Sequence, residues 1–262
     1  MRLDKYNESL ISRSKMKNLI LEGKVYVNNK VITKPSFEIN ENDLIEIKQD
    51  EYNFPSRAGY KLLKAIEEFK LDFNNKVVLD VGASTGGFTA CSLYFGAKKV
   101  YAVDVGDSQL VDSLKNNEKV KSIENKNIID LTNDEINNDI CDFVVIDVSF
   151  ISLKNILPSI KRFISNQSLV IALIKPQFET LKYQNKSHII KDPTIHTIIV
   201  SDVISSLSKI GYNLISLTYS PIKGSKGNIE FLGLFTLKEL TNKSDININE
   251  IVKKAHKDLK RE

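Results

Sequence analysis

Val77-Val78-Leu79-Asp80-Val81-Gly82-Ala83-Ser84-Thr85-Gly86-Gly87-Phe88 is the stretch on which the reading of this chain turns. An apolar run ends at an acid, a glycine-rich turn follows, and a second apolar segment, Phe88 to Phe95, is closed by Gly96. The pattern predicts a buried strand, a tight loop and a helix that stops at Gly96. Glycines let a backbone approach a ligand closely, and a helix start offers free N–H groups. Open α/β sheets build nucleotide sites at the carboxyl ends of their strands in this way. The loop has neither the G-x-G-x-x-G spacing nor the Gly-Lys-Ser/Thr of a phosphate loop. A tight turn without a ligand would also fit, but a second acid argues for a ligand. Asp104 ends the run Val100-Tyr101-Ala102-Val103 about one βα unit later, where a ribose-binding carboxylate belongs. Two acids at successive strand ends without a phosphate loop suit a nucleoside that lacks phosphates, and S-adenosylmethionine is the common one.

Outward from this stretch, strands and helices alternate. Val77–Asp80, Val100–Asp104, Phe143–Asp147 and Leu169–Leu173 are near-continuous apolar runs with helical stretches expected between them, the mark of a parallel sheet covered on both faces. Only Ser220 to Asn228 separate the runs Asn213–Thr218 and Ile229–Leu237, too few for a helical crossover, so this last pair is expected to be antiparallel. Four polar residues fall at the expected rim: Lys61 on the helix that leads into the sheet, Asp147 after Val144-Val145-Ile146, Lys175 after Ile171-Ala172-Leu173-Ile174, and Glu230 at the start of the last strand.

The 262 residues allow one large or two modest domains, and 42% hydrophobic content supports a proper core. No run approaches the roughly 18 apolar residues of a membrane span. Met1-Arg2-Leu3-Asp4-Lys5 carries no apolar signal region, and Cys91 and Cys141 are too few for a disulfide framework or a zinc cluster. These features point to a cytoplasmic protein with no stable membrane association and no metal. The net charge of +4 permits a nucleic-acid partner without demanding one; oligomeric state is not legible.

Residues 1–50 read as a small α+β module. Ser12 to Leu21 is a helix ending near Gly23, and Val25-Tyr26-Val27 and Val31-Ile32 flank the hairpin signal Asn28-Asn29-Lys30. A further strand, Leu44 to Ile47, follows. Arg13, Lys15 and Lys17 cluster on the helix, a basic footprint that fits either RNA or a merely solvated face. Residues 51–60 read as a linker, 61–240 as the α/β domain that holds the alternating strands and helices, and 241–262 as a basic tail expected to be helical, in which Ile248, Ile251, Val252, Ala255 and Leu259 form one stripe.

Two resemblances sharpen this reading. Arg2-Leu3-Asp4, Ser12-Arg13-Ser14-Lys15, Ile20 to Gly23 and Val25-Tyr26-Val27-Asn28 resemble the RNA-binding domain shared by small-subunit ribosomal protein S-four, pseudouridine synthases and some tRNA synthetases, which implies RNA contacts at Arg2, Arg13, Lys15 and Lys17. Ser56 to Leu62, Asp80 to Thr89, Asp147 to Leu153, Ile174 to Glu179 and Ser220 to Gly224, continuing to Glu230, resemble the TlyA family over nearly the whole chain. That family is described both as haemolysin-like and as ribosomal RNA 2′-O-methyltransferases, and its second half resembles the wider FtsJ family. The resemblance implies a Rossmann-like adenosylmethionine-dependent methyltransferase sheet and a catalytic tetrad of Lys61, Asp147, Lys175 and Glu230. It implies a cofactor site at Asp80, Gly82, Ala83, Ser84, Thr85, Gly86, Gly87, Phe88 and Asp104, with ribosomal RNA or ribosomal subunits as partner. Tyr183 to Ile190 departs from the glycine-rich stretch usual there. Lys175 is the expected base, since a lysine can take a proton where burial or a nearby cation favours its neutral form. A membrane-active haemolysin, and an RNA-binding protein with an inactive methyltransferase domain, are the competing readings.

Overall fold

The computed structural model describes the chain except residues 7–12, 22, 48–51, 181–188, 242–244 and 262, and excepting the side chains of Ser14, Lys15, Asn18, Ser225 and Arg261. The chain divides into two compact units, Met1–Asn53 and Phe54–Glu262.

In the first unit, helix α1 (Arg13–Leu21) precedes strands β1 (Val25–Val27), β2 (Lys30–Val31) and β3 (Ile45–Ile47), ordered β2-β1-β3 and antiparallel throughout. Asn28 and Asn29 both sit at positive φ, 51° and 64°, the left-handed pair that a two-residue hairpin turn requires. Leu3, Met16, Ile20, Val25, Val27 and Ile39 form its core. Above that core the buried Asp4 carboxylate pairs with Arg2 and Arg13, each at 2.9 Å.

The second unit runs α2 (Ala58–Phe69), β4 (Val77–Val81), α3 (Gly87–Tyr94), β5 (Lys99–Val103), α4 (Asp112–Lys115), β6 (Val120–Ile123), β7 (Cys141–Ile146), α5 (Leu153–Ile160), β8 (Ile164–Ile174), α6 (Pro176–Glu179), α7 (Pro193–Lys209), β9 (Asn213–Tyr219), β10 (Phe231–Thr236) and α8 (Ile248–Asp258). Seven strands form one sheet in the order β6-β5-β4-β7-β8-β10-β9. The pairs among β6, β5, β4, β7 and β8 are parallel, and β10 is antiparallel to both its neighbours. All five residues of β4 are buried because helices cover both faces, which is why its sequence is continuously apolar rather than alternating.

The expected antiparallel pair is thus present, but the stretch between β5 and β7 differs from the helical reading. It holds a single-turn helix, a 3₁₀ turn at Asp134–Ile136 and the edge strand β6. Val120-Lys121-Ser122-Ile123 carries only two apolar residues and is half-buried throughout, so it gave no apolar run to read. The carboxy-terminal stripe does form a helix: Val252, Ala255 and Leu259 join the main core, and the buried His256 meets His196 of α7, Nε2 to Nδ1, at 2.8 Å.

Register decides what meets at the carboxyl edge of the sheet. Val81 lies opposite Val103 on one side and Ile146 on the other, so Gly82 follows between Asp104 and Asp147. Strand β8 runs two residues past the Ile146↔Ala172 pair and then releases Lys175. Because β10 runs the opposite way, its first residue pairs with the last of β8, Phe231 with Ile174, which brings Glu230 to the same edge.

Candidate active site

Lys61, Asp147, Lys175 and Glu230, drawn from four separate elements, form one connected ion cluster. Lys175 Nζ lies 2.6 Å from Asp147 Oδ1, and Lys61 Nζ lies 2.7 Å from Glu230 Oε2 and 3.6 Å from Asp147 Oδ2. The side chains of both lysines are only 9% exposed and that of Glu230 only 2%. Lys61 stands on the same buried face of α2 as Leu62, Ala65 and Ile66, a place where an ammonium is tolerated only if paired. Two further groups complete the cluster: Lys175 Nζ donates to Ser149 Oγ at 3.0 Å, and Gln177 Nε2 donates to Glu230 Oε1 at 3.3 Å.

The cluster borders two adjoining cavities. The smaller, about 250 Å³, is lined by all four of these residues together with Ala83, Thr85 and Phe88. The larger, about 480 Å³, is lined by Val81, Asp104, Val105, Ile128 and Phe150 among others, and Gly82, Ser84, Asp147 and Ser149 belong to both. Asp104 holds this larger cavity's edge in place. Its Oδ2 accepts from Ser84 N at 2.8 Å and its Oδ1 from Gly106 N at 2.7 Å, and each oxygen keeps a lone pair for another donor. Gly82, at φ +82°, forms the floor. A Cβ there would stand 2.6 Å from the Asp147 carbonyl oxygen, closer than the backbone tolerates.

Not every glycine-loop residue faces a cavity. Gly87 lets α3 approach α2, since a Cβ would meet Gly59 N at 2.8 Å, and Gly86, at φ +98°, leads into α3. The Asp80 carboxyl is wholly buried beneath the loop, where Thr89 Oγ1 donates to its Oδ2 at 2.6 Å. Among the described residues nothing bonds its Oδ1. Burial raises its pKa to about 7, against the pull of the Thr89 hydroxyl. In the first unit Arg13 and Lys17 are exposed on α1, while Arg2 and Arg13 share Asp4. The side chain of Lys15, and most of the departing segment Tyr183 to Ile190, lie outside the described residues.

Four residues around the site escaped sequence reasoning. Ser149, Phe150 and Gln177 stand inside the recognised motifs, next to the residues singled out, and only their side-chain directions distinguish them. Phe150 is 90% exposed with φ +66°, an uncommon backbone for a bulky residue, and its ring lies 4.9 Å from that of Phe178. Glu124 follows the unread strand β6. It accepts from Gln109 N, Leu110 N and Lys115 Nζ and so holds the loop over the larger cavity.

Comparison with known proteins accords with this geometry. The FtsJ-like methyltransferase family matches residues 54–236, and the S4 domain matches residues 1–45. Hemolysin A of Brachyspira hyodysenteriae is 45% identical, over 90% of this chain and all of its own length. The 16S/23S rRNA (cytidine-2′-O)-methyltransferase TlyA of Mycobacterium tuberculosis is 35% identical, over 84% of this chain and 82% of its own. A solved structure of a candidate hemolysin from Streptococcus thermophilus superposes with a TM-score of 0.78 at 35% identity, covering 100% of this chain and 97% of that one. An S-adenosylmethionine-dependent methyltransferase fold from Listeria monocytogenes, 18% identical, covers 70% of this chain and 100% of its own with a TM-score of 0.51, a likeness of fold alone. With this domain pair and these relatives, the chain belongs to the FtsJ-like methyltransferases, in the TlyA and hemolysin A family.

Proposed function

We propose that the protein methylates a ribose 2′-hydroxyl of ribosomal RNA, alone or in a ribosomal subunit, using S-adenosylmethionine. The observation that carries this reading is the Lys61–Asp147–Lys175–Glu230 cluster lining the smaller of two adjoining cavities, with Asp147 shared by the larger. The larger cavity suits the methyl donor: an acid with spare lone pairs for ribose hydroxyls, apolar walls at Val105 and Ile128 for a base, and no phosphate cradle. Asp104, Gly82 and Ser84 would hold the donor, with Asp147 toward its charged end. When bound, S-adenosylmethionine supplies a methyl group on a cationic sulfur.

The chain's own residues manage the proton. A ribose hydroxyl is a weak acid, and it becomes a competent nucleophile only as its proton leaves. Two carboxylates flank the Lys61 nitrogen. The second, at 3.6 Å, adds about 5 kcal/mol of attraction to the ammonium at an effective dielectric near 20. Lys175 shares one carboxylate, and its other partner is a neutral hydroxyl. Lys175 Nζ takes the O2′ proton, while the donor, when bound, would supply the methyl group and leave as its neutral thioether. With Lys61 counted as an ammonium and both carboxylates ionised, proton uptake by Lys175 moves the four-residue cluster from one net negative charge to none. The exposed Phe150 ring at the mouth offers a face on which the target base stacks. Arg2, Arg13, Lys15 and Lys17 of the first unit contribute phosphate contacts. The cytidine named for the Mycobacterium relative makes a cytidine ribose the first nucleotide to test.

The test is mass mapping of 2′-O-methyl groups on ribosomal RNA from cells with and without this protein, paired with labelled methyl transfer in vitro. An identical methylation map in both cells, together with no transfer in vitro, would overturn the reading. The hemolysin name among the relatives raises the competing activity. Among the described residues no helix is long and apolar enough to cross a membrane, and liposome leakage by purified protein would be the sign of that activity.

A further inference from the structure

The Lys175 nitrogen has two acceptors within hydrogen-bond distance, Asp147 Oδ1 at 2.6 Å and Ser149 Oγ at 3.0 Å. A neutral amine carries two N–H bonds and one lone pair. Rotation about the Cε–Nζ bond exchanges them, so an amine held by one acceptor presents either a lone pair or an N–H to a third group. The second presentation is unproductive, because that N–H would donate to O2′ and leave the O2′ proton without an acceptor. With both N–H bonds occupied, by Asp147 and by Ser149, the lone pair takes the remaining tetrahedral position. Lys175 and both acceptors line the smaller cavity, where the ribose hydroxyl belongs on the reading above.

We propose that Ser149 is a positioning residue whose hydroxyl fixes the rotation of the Lys175 amine and aims its lone pair at the ribose hydroxyl. Ser149 does not take the proton. It accepts one N–H bond before and after transfer, while the O2′ proton passes to Lys175. The placement of Ser149 supports this role. It follows β7 directly, two residues after Asp147, so one short segment supplies both acceptors. The other charged groups facing the amine do not substitute for it. Glu230 is engaged by Lys61 and Gln177, and Lys61 is itself a cation. The remaining neighbour, the Phe178 ring, is 6.0 Å away by its centroid and offers only a π face.

The inference rests on the assignment of Lys175 as base, and the experiment separates the two. Single-turnover methylation of ribosomal RNA is measured for the full chain, wild type and Ser149→Ala, Ser149→Thr, Lys175→Ala and the Ser149→Ala/Lys175→Ala double variant. Losing the bias of one neutral hydrogen bond lowers the rate of Ser149→Ala about fivefold. KM for RNA and adenosylmethionine affinity stay at wild-type values. Ser149→Thr, which keeps the hydroxyl, restores most of the rate. The variant-to-wild-type ratio is constant across pH, because orientation rather than charge has been lost. In the Lys175→Ala background the serine change has no further effect, since it acts through that amine. A deficit that appears in KM or in donor affinity would make Ser149 a ligand contact and overturn the proposal, as would an unchanged rate or an equal loss in Ser149→Thr. A near-normal rate in Lys175→Ala would instead overturn the base assignment itself.

Discussion

Replacing Asp104 by alanine should weaken adenosylmethionine binding about a hundredfold. The estimate follows from the position of its two oxygens at the end of β5. Each already accepts one backbone N–H, from Ser84 and from Gly106, each has acceptor capacity left, and Asp104 lines the larger cavity. Two charge-assisted hydrogen bonds to ribose hydroxyls are each worth about 1.5–3 kcal/mol. Taking the low end of that range for both gives about 3 kcal/mol, which is about two decades in Kd. Asp104→Asn should fall between, because one carbonyl oxygen remains while the amide end opposes a backbone N–H. Calorimetric titration with the donor and with its demethylated product measures both, and thermal unfolding of the free protein controls for slackening of the Ser84 turn. An unchanged Kd in a folded Asp104→Ala protein would refute the reasoning and move the ribose elsewhere along the cavity.

Lys175→Ala should lower single-turnover methyl transfer about a hundred- to ten-thousand-fold while leaving both ligands bound, as loss of a general base does. Asp80 titrates high, so between its unfolded value of 3.8 and about 7 the folded protein binds the extra proton and stability falls as pH rises. Thermal melts across that range should show the wild type losing ground to Asp80→Asn, by on the order of 4 kcal/mol. Burial and the neighbouring His256 lower His196 from 6.5 to about 4, so the neutral pair's stability is full above 6.5 and is lost as pH falls toward 4. The wild type should lose ground to His196→Leu over that interval; the two slopes oppose each other in the wild type, so they are read from variant differences. Arg13→Ala with Lys17→Ala should weaken RNA binding and reduce its log–log salt slope by about 0.9 for each phosphate no longer neutralised, with donor affinity unchanged.

The fold was legible because burial on both sheet faces forces long apolar runs, and these mark β4, β5, β7 and β8 without further help. Strand β6 was not legible, since an edge strand with Lys121 and Ser122 at its centre carries no such run. The rim positions of Asp104, Asp147 and Lys175 follow from strand ends. The pairing of Lys61 with Glu230 does not, because it depends on the register that sets Phe231 against Ile174 and on the buried face of α2. Lys175 was singled out from its strand end, but the second carboxylate beside Lys61 cannot be seen in a linear sequence. Nor can the second acceptor on Lys175, although Ser149 stands in plain view beside Phe150.

Strand β10 has a consequence for how the protein comes into being. Among the described residues it is the latest strand in chain order, yet its place in the sheet is internal, between β8 and β9. A growing chain can pair β4, β5, β6, β7 and β8 as they emerge, but β9 has no sheet neighbour until the later strand slots in beside it. Glu230 arrives with that strand, and Lys61 gains its closest carboxylate only then. The larger cavity is therefore lined by early segments, whereas the four-residue cluster closes only once Glu230 has arrived. A chain clipped before Glu230 would keep the segments that line the larger cavity yet leave Lys61 without its nearest carboxylate, and an ammonium held from water without its partner is strongly destabilising.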